Sequence, residues 1–152
     1  MKFTKMHGAG NDYVYINGYV YDDYDWPEIS KKVSDRHTGI GSDGLIVAMP
    51  SSDADLKMKM FNADGSEGDM CGNGIRCLVS FAMDQGLISE DSTIKNVETN
   101  SGILTVEPIF SNNKMSEAVV DMGQPIFDPD LIPVKVPAGA NPVLQYEVQV
   151  DG

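Results

Sequence analysis

The stretch NADGSEGDMCGNGIRCLVSFAMDQG (residues 62–86) contains the signals that decide the fold. Residues 62–69 are polar and rich in turn formers, whereas the apolar residues after Cys71 recur at helical spacing and cover most of the helix circumference. A helix that is apolar nearly all round is a buried helix. The sequence therefore predicts a central helix over residues 71–85, which Gly86 ends in a left-handed conformation.

Strand patterns lie on both sides of this helix. Alternation of apolar with polar residues, and apolar runs bounded by turn formers, predict Lys2–Met6, Asp12–Val20, Leu45–Met49, Leu56–Asn62, Ile94–Val97, Ile103–Phe110, Ala118–Met122, Val134–Val136 and Val143–Val150. A second, short helix is predicted from Asp25 to Arg36, because Asp25 can cap its start and Pro27 suits its first turn. Many strands around one buried helix indicate the α+β class.

Prolines divide the second half of the chain. Pro108 and the prolines after it restrict this half to short or edge strands. Five of the eight prolines lie between Gly123 and Pro142. We therefore expect residues 1–121 to form a first lobe, and residues 122–152 to form a crossover and the start of a second lobe.

The composition excludes several classes of partner. The chain has 152 residues and a formal net charge of -12, which argues against nucleic acid and membrane as partners because both attract basic surfaces. The N-terminus does not resemble a signal peptide, and no apolar run approaches the ~20 residues of a membrane span, so we expect a cytoplasmic protein. Two cysteines and two distant histidines do not match zinc-site spacing, so no metal is expected.

Cys71 lies where the polar loop becomes the buried helix. The free N–H groups of the first helical turn, and the positive end of the helix dipole, stabilise a thiolate at such a position. The same N–H groups can hold a carboxylate. Gly72 and Gly74 are poor helix formers, and their presence beside a cysteine is explained if a ligand approaches the backbone closely. Cys71 is therefore a candidate catalytic thiol.

Each of these residues also has a structural interpretation. A free cysteine is usually a small buried packing residue, and the residues alone do not separate this role from catalysis at Cys71. Cys77 lies well inside the helix on a different face, so we interpret it as a packing residue. Asn11 and Asn62 flank turn-rich loops, where asparagine more often satisfies turn backbone than a ligand.

Several segments of this chain together resemble the diaminopimelate epimerase family. The first active-site motif of that family is matched almost residue for residue around Cys71, and the opening motif is matched near the N-terminus. The resemblance runs from Met1 to about Pro133. The matching segments are Lys5–Tyr13, Asp35–His37, Gly39–Gly41, Phe61–Ser66, Met70–Cys77 and Asp121–Pro125.

The resemblance implies two similar lobes, each a mixed β-sheet curled around a central helix, with the Cys71 helix at the centre of the first. It implies inversion at one α-carbon of LL-diaminopimelate to give the meso isomer, in lysine and cell-wall precursor biosynthesis, without pyridoxal phosphate or another cofactor. One cysteine removes the α-proton and a second delivers a proton to the opposite face. Cys71 matches one of these cysteines, while Asn11, Asn62, Gly72 and Asn73 match substrate-binding residues.

The chain departs from the family pattern in two ways. It has Gly44 where many members carry Gln, and it stops near the start of the second lobe. That lobe carries the second cysteine and a Glu-Arg substrate clamp in family members, whose last strand returns to the first lobe. We therefore expect the chain alone to be inactive and to need the second lobe, with a homodimer as a candidate assembly.

Two other functions stay open at the level of sequence. Proline and hydroxyproline racemases of the same superfamily also use paired cysteines, but their cysteine is typically followed by Gly-His, whereas Gly72, Asn73 and Gly74 follow Cys71. A non-catalytic binding domain that retains the fold is the alternative from another class. The intact Cys71 argues against that alternative, whereas the missing half argues for it. The sequence does not decide which isomer Cys71 deprotonates.

Overall fold

The computed structural model describes residues 1–21, 23–89, 91, 93–132 and 134–135. Residues 1–122 form one compact unit, and the residues after it belong to a second. The helices and strands of the described residues all lie in the first unit. They are β1 (Thr4–Gly8), β2 (Asn11–Asn17), α1 (Trp26–Ser34), β3 (Gly44–Met49), β4 (Leu56–Asn62), β5 (Glu67–Gly68), α2 (Gly72–Asp84), β6 (Lys95–Thr99), β7 (Gly102–Ser111) and β8 (Lys114–Val120).

The strands form one mixed sheet in the order β1-β2-β3-β4-β6-β7-β8, with the short β5 paired to β4. The pairs β2–β3 and β4–β6 are parallel and the others are antiparallel. Helix α2 contacts β1 and β2 at one end of the sheet and β7 and β8 at the other. The sheet therefore curls around α2, which confirms the predicted α+β fold with a central buried helix.

The core consists of two apolar clusters on opposite faces of the sheet. One lies between α2 and the sheet, and the other lies under α1. Strand β3 contributes to both, because alternate residues of a strand point to opposite faces. Its residues Ile46 and Ala48 pack in the α2 cluster, whereas Leu45 and Val47 pack in the α1 cluster.

The predicted ends of both helices are confirmed within two residues. The Asp25 side chain accepts a hydrogen bond from the Glu28 backbone N–H (3.2 Å), as expected of an N-cap, and α1 ends at Ser34. Gly86 follows α2 with φ +66°, the left-handed conformation in which glycine is favoured. The capping signals were therefore sufficient to place both helices.

The strand boundaries near the two hairpins differ from the prediction. Strands β1 and β2 are joined by Ala9 and Gly10, which both have positive φ. This two-residue turn lets β1 run to Gly8 and β2 begin at Asn11, whereas the predicted turn took five residues. Asn112 and Asn113, also at positive φ, form the same kind of turn between β7 and β8. Strand β8 therefore begins at Lys114, four residues before the predicted start.

Strand β7 shows how a proline fits into one of the later strands, which were predicted to be short or at an edge. This strand has ten residues and contains Pro108. Strand β6 pairs with β7 only as far as Val106, so among the residues that the structure describes Pro108 has a strand neighbour on the β8 side alone. A proline, which lacks a backbone N–H, is tolerated at such a position.

The last two predicted strands receive no support from the described residues. Val134 and Lys135 are not in a strand, and Val136 together with the predicted strand Val143–Val150 lies outside the residues that the structure describes. No helix in the described part of the chain is long and apolar enough to cross a membrane.

Candidate active site around Cys71

Cys71 is the N-cap of α2. Its backbone is extended (φ -137°, ψ 113°), and its sulfur accepts a hydrogen bond from the Gly74 backbone N–H at 3.3 Å. The side chain is half-buried, and the thiol is free. The first N–H groups of a helix have no partner within the helix, so a side chain placed here can accept a hydrogen bond from one of them. The predicted position of Cys71 at the start of the buried helix is confirmed.

Asn11 lies beside the same sulfur. Its side-chain nitrogen donates to Cys71 Sγ over 3.7 Å, a long hydrogen bond that joins the start of β2 to the start of α2. The Asn11 side-chain oxygen is buried and has no hydrogen-bond partner among the described residues. A buried acceptor without a partner is unfavourable, so this oxygen is suited to a donor from a bound ligand.

Tyr13, which the sequence analysis did not single out, also belongs to the site. It is 4% exposed. Burial raises the pKa of Tyr13 to about 12, and the Cys71 thiol beside its hydroxyl adds to the rise. The signal that could have found it is spacing, because residues two apart on a strand share a face and Asn11 is two residues before Tyr13.

Gly72 and Gly74, both in the first turn of α2, have different surroundings. A Cβ on Gly72 would make only ordinary van der Waals contact, with Met122 Sδ at 3.5 Å, so packing does not require a glycine there. A Cβ on Gly74 would lie 2.5 Å from Ile46 Cδ1. Gly74 is therefore explained by packing of α2 on β3, whereas the approach of a ligand stays a prediction for Gly72. Asn73 lies between them, and its side-chain oxygen accepts from Arg76.

Asn62 is less closely connected to the thiol. Its side-chain nitrogen donates to Ser66 Oγ at 2.9 Å, within the turn that follows β4. Cross-strand pairing nevertheless sets Tyr13 opposite Gly44, and Gly44 opposite Asn62, in one row across the sheet. The structure brings Asn11, Gly72 and Asn73 next to Cys71, and it leaves Asn62 engaged with its own turn.

Gly44, where many family members carry Gln, is tightly enclosed. A Cβ there would lie 2.2 Å from the Phe61 carbonyl oxygen and 3.0 Å from Tyr13 Cε1. A side chain at this position would require the backbone of β3 or β4 to shift. Part of the space around residue 44 is occupied by the Tyr13 ring.

Cys77 lies away from the start of the helix, within the α2 cluster. It is 8% exposed, and burial raises the pKa of its thiol. The predicted burial of Cys77 is confirmed. Beside it, a groove of about 390 Å³ runs between the sheet edges β1 and β8, lined by Met6, Gly8, Arg76, Cys77, Met115 and Ala118.

Comparison with known proteins assigns the chain to a family. The family model described as diaminopimelate epimerase matches residues 3–127. A diaminopimelate epimerase of Acetivibrio thermocellus is 51% identical over 134 residues, covering 88% of this chain and 47% of the relative. A diaminopimelate epimerase of Methanococcus maripaludis is 49% identical over 148 residues, covering 97% of this chain and 52% of the relative. The chain thus spans about half the length of the curated relatives it matches.

Solved structures with lower sequence identity share the fold. A phenazine biosynthesis protein of the PhzF family from Bacillus anthracis has a TM-score of 0.58 at 22% identity, over 79% of this chain and 40% of that one. A hydroxyproline epimerase from Agrobacterium vitis has a TM-score of 0.56 at 15% identity, over 78% of this chain and 40% of that one. The racemase alternative is thus matched only as a related fold.

Proposed function

We propose that this chain, which belongs to the diaminopimelate epimerase family, forms one lobe of a cofactor-independent enzyme that converts LL-diaminopimelate to the meso isomer. The observation that carries the proposal is the environment of Cys71 at the start of a buried helix. Its sulfur accepts hydrogen bonds from the Gly74 backbone N–H and from the Asn11 side-chain amide. We assign residues 1–121 to this lobe and residues 122–152 to the crossover and the start of the second lobe.

The proposed reaction is a pair of proton transfers. A thiolate takes the α-proton, so that the C–H bond breaks and an S–H bond forms. The thiol on the opposite face then loses its proton to the α-carbon, and the configuration inverts. Cys71 supplies one of these sulfurs. A single sulfur reaches only one face of the substrate, so the other belongs to the second lobe.

The substrate-binding residues in the proposal are Asn11, Asn62, Gly72 and Asn73. The unpartnered oxygen of Asn11 suits an ammonium donor. Packing does not require a glycine at position 72, which lies at the helix start, where backbone N–H groups favour a carboxylate. A zwitterionic amino acid carries both groups on the carbon that is inverted.

The two edge strands of the sheet, β1 and β8, are suited to pairing with a further strand. In the described part of the sheet, β1 and β8 each pair on one side only. Unpaired strand edges favour pairing with another strand, and the family resemblance predicts a strand that returns to the first lobe. The complete enzyme is proposed to act in the cytoplasm, with a homodimer as its assembly.

A chimera tests this function. Residues 1–127 of this chain replace the matching half of the Acetivibrio thermocellus enzyme, and LL-diaminopimelate is followed in deuterated water by NMR. We expect the meso isomer from the chimera and none from the 152-residue chain alone, because inversion needs a second group on the opposite face of the α-carbon. Cys71→Ala in the chimera should lower turnover by at least about 10²-fold, the lower end of a general acid–base contribution.

Cys77→Ala is the matched control, because it removes the other thiol. It should lower stability through a small cavity and leave turnover near that of the parent chimera. A folded chimera that is inactive on diaminopimelate would overturn the proposal, as would full turnover in Cys71→Ala. Turnover of proline or hydroxyproline instead would favour the racemase alternative, and binding of diaminopimelate without exchange would favour the non-catalytic one.

A further inference from the structure

Three side chains on one face of β2 point toward the start of α2. Asn11, Tyr13 and Tyr15 are spaced by two residues, and such residues share a face of a strand. The first of them donates to Cys71 Sγ over 3.7 Å, and the last donates through its hydroxyl to the Gly74 carbonyl at 3.1 Å. Tyr13 lies between these two residues on the same face of β2, which directs its side chain toward the first turn of α2.

The Tyr13 ring is held by its neighbours. Strand pairing sets it between Met6 of β1 and Gly44 of β3, and it belongs to the apolar cluster against which Cys71 packs. The missing side chain at Gly44 leaves room for the ring, since a Cβ there would lie 3.0 Å from Tyr13 Cε1. The ring therefore has little freedom to turn away from the sulfur.

We propose that Tyr13 is a positioning residue for Cys71, whose hydroxyl donates a hydrogen bond to the thiolate and holds the sulfur at the mouth of the site. A role of Tyr13 in catalysis rests on the proposed function. Hydrogen bonds to ionised groups are about twice as strong as those between neutral groups, so this donor favours the thiolate over the thiol.

Tyr13 can donate a hydrogen bond to Cys71 Sγ in addition to those from Asn11 and Gly74. A tyrosine whose pKa is about 12 keeps its proton at neutral pH. The other titratable groups that face the pair are Tyr15 on β2, Cys77 on α2 and Asp43 before β3. Burial raises the pKa values of Tyr15 and Cys77, so both stay neutral, and a change at Tyr13 leaves Asp43 in place.

The test is the pH dependence of alkylation at Cys71 in the full chain. Tyr13→Phe keeps the ring and removes the hydroxyl. Brief iodoacetamide treatment is followed by mass spectrometry, and cleavage after Arg76 places the two cysteines in separate peptides. We expect the midpoint of the rate profile to rise by about one pH unit in Tyr13→Phe, with a roughly tenfold lower rate below the midpoint.

Tyr24→Phe is the matched control, because Tyr24 is exposed and contacts Tyr21 and Trp26 instead of the thiol. Its profile should equal that of the wild type. A folded Tyr13→Phe chain with the wild-type midpoint would overturn the proposal. If Tyr13→Phe does not fold, 3-fluorotyrosine at position 13 keeps ring and hydroxyl but makes the donor more acidic. The midpoint should then fall, and an unchanged midpoint would overturn the proposal. Neither readout depends on epimerase activity.

Discussion

Cys71 has a structural role at the start of α2 in addition to the chemical role proposed for it. The sulfur accepts a hydrogen bond from the Gly74 backbone N–H. At most helix starts the acceptor is a side-chain oxygen of serine, threonine, aspartate or asparagine. This hydrogen bond to the backbone limits the rotation of the Cys71 side chain. The cap and the thiolate therefore depend on the same N–H group.

Substitutions at Cys71 separate these two roles. Cys71→Ala removes the cap and should lower the free energy of unfolding by about 1 kcal/mol, whereas Cys71→Ser keeps an acceptor and should lower it less. Urea denaturation of the two variants and the wild type checks this order. Equal stability of the alanine and serine variants would mean that the sulfur does not act as a cap.

At the scale of elements, β2 and α2 are joined where the site forms. Tyr15 is fully buried, and its hydroxyl donates to the Gly74 carbonyl. Gly8 at the end of β1 approaches the same turn, since a Cβ on it would lie 2.8 Å from the Asn73 carbonyl oxygen. The first turn of α2 is thus fixed from two strands, which holds Cys71 in place relative to Asn11.

Tyr15→Phe tests this attachment of α2 to the sheet. The variant keeps the packed ring and removes the donor to the Gly74 carbonyl, so the free energy of unfolding should fall by about 1 kcal/mol, the net value of a hydrogen bond. Urea denaturation measures the change, and exposed Tyr24→Phe is the control. If both variants unfold at the same urea concentration as the wild type, the Tyr15 hydroxyl does not stabilise the fold.

At the scale of the whole molecule, one ionic network joins distant segments of the chain. Arg36, after α1, pairs with Asp12 of β2 (2.7 Å) and with Asp43 before β3 (2.9 Å), while Lys5 of β1 also pairs with Asp12 (3.1 Å). The Arg36 guanidinium holds the pKa of Asp12 well below its usual range, and burial opposes the shift only in part.

The network predicts an acid-dependent loss of stability. A carboxyl whose pKa is lower in the folded chain than in the unfolded chain stabilises the fold above the unfolded pKa, and this stabilisation is lost as the pH falls. Asp12→Asn should therefore unfold more easily than the wild type above about pH 4, and the difference should shrink toward about pH 2. Thermal melts across this range measure it.

Asp53→Asn, in an exposed loop, serves as the control. It should follow the wild type at every pH. A difference between Asp12→Asn and the wild type that stays constant down to the lowest pH would show that Asp12 acts through its shape and not its charge.

The elements and the position of the Cys71 thiol could be predicted from sequence because their causes are local. Apolar residues at helical spacing, the Asp25 cap and Gly86 place the helices, and the loop-to-helix change at Cys71 identifies a thiol at free N–H groups. Hairpin ends were predicted less well. The positive φ of Ala9 is uncommon for a residue with a side chain, and the composition of the turn did not indicate it.

The sequence by itself determined the α+β class, the buried helix, the position of Cys71 and the family. Only the tertiary structure decided that Tyr13 packs in the same cluster as Cys71, that Gly74 is required by packing, and that β7 tolerates Pro108. These facts depend on which strands become neighbours in the sheet, and strand pairing joins residues that are far apart in the chain. Periodicity along a sequence tells which face a side chain takes, whereas contacts between elements are set when the sheet closes around α2.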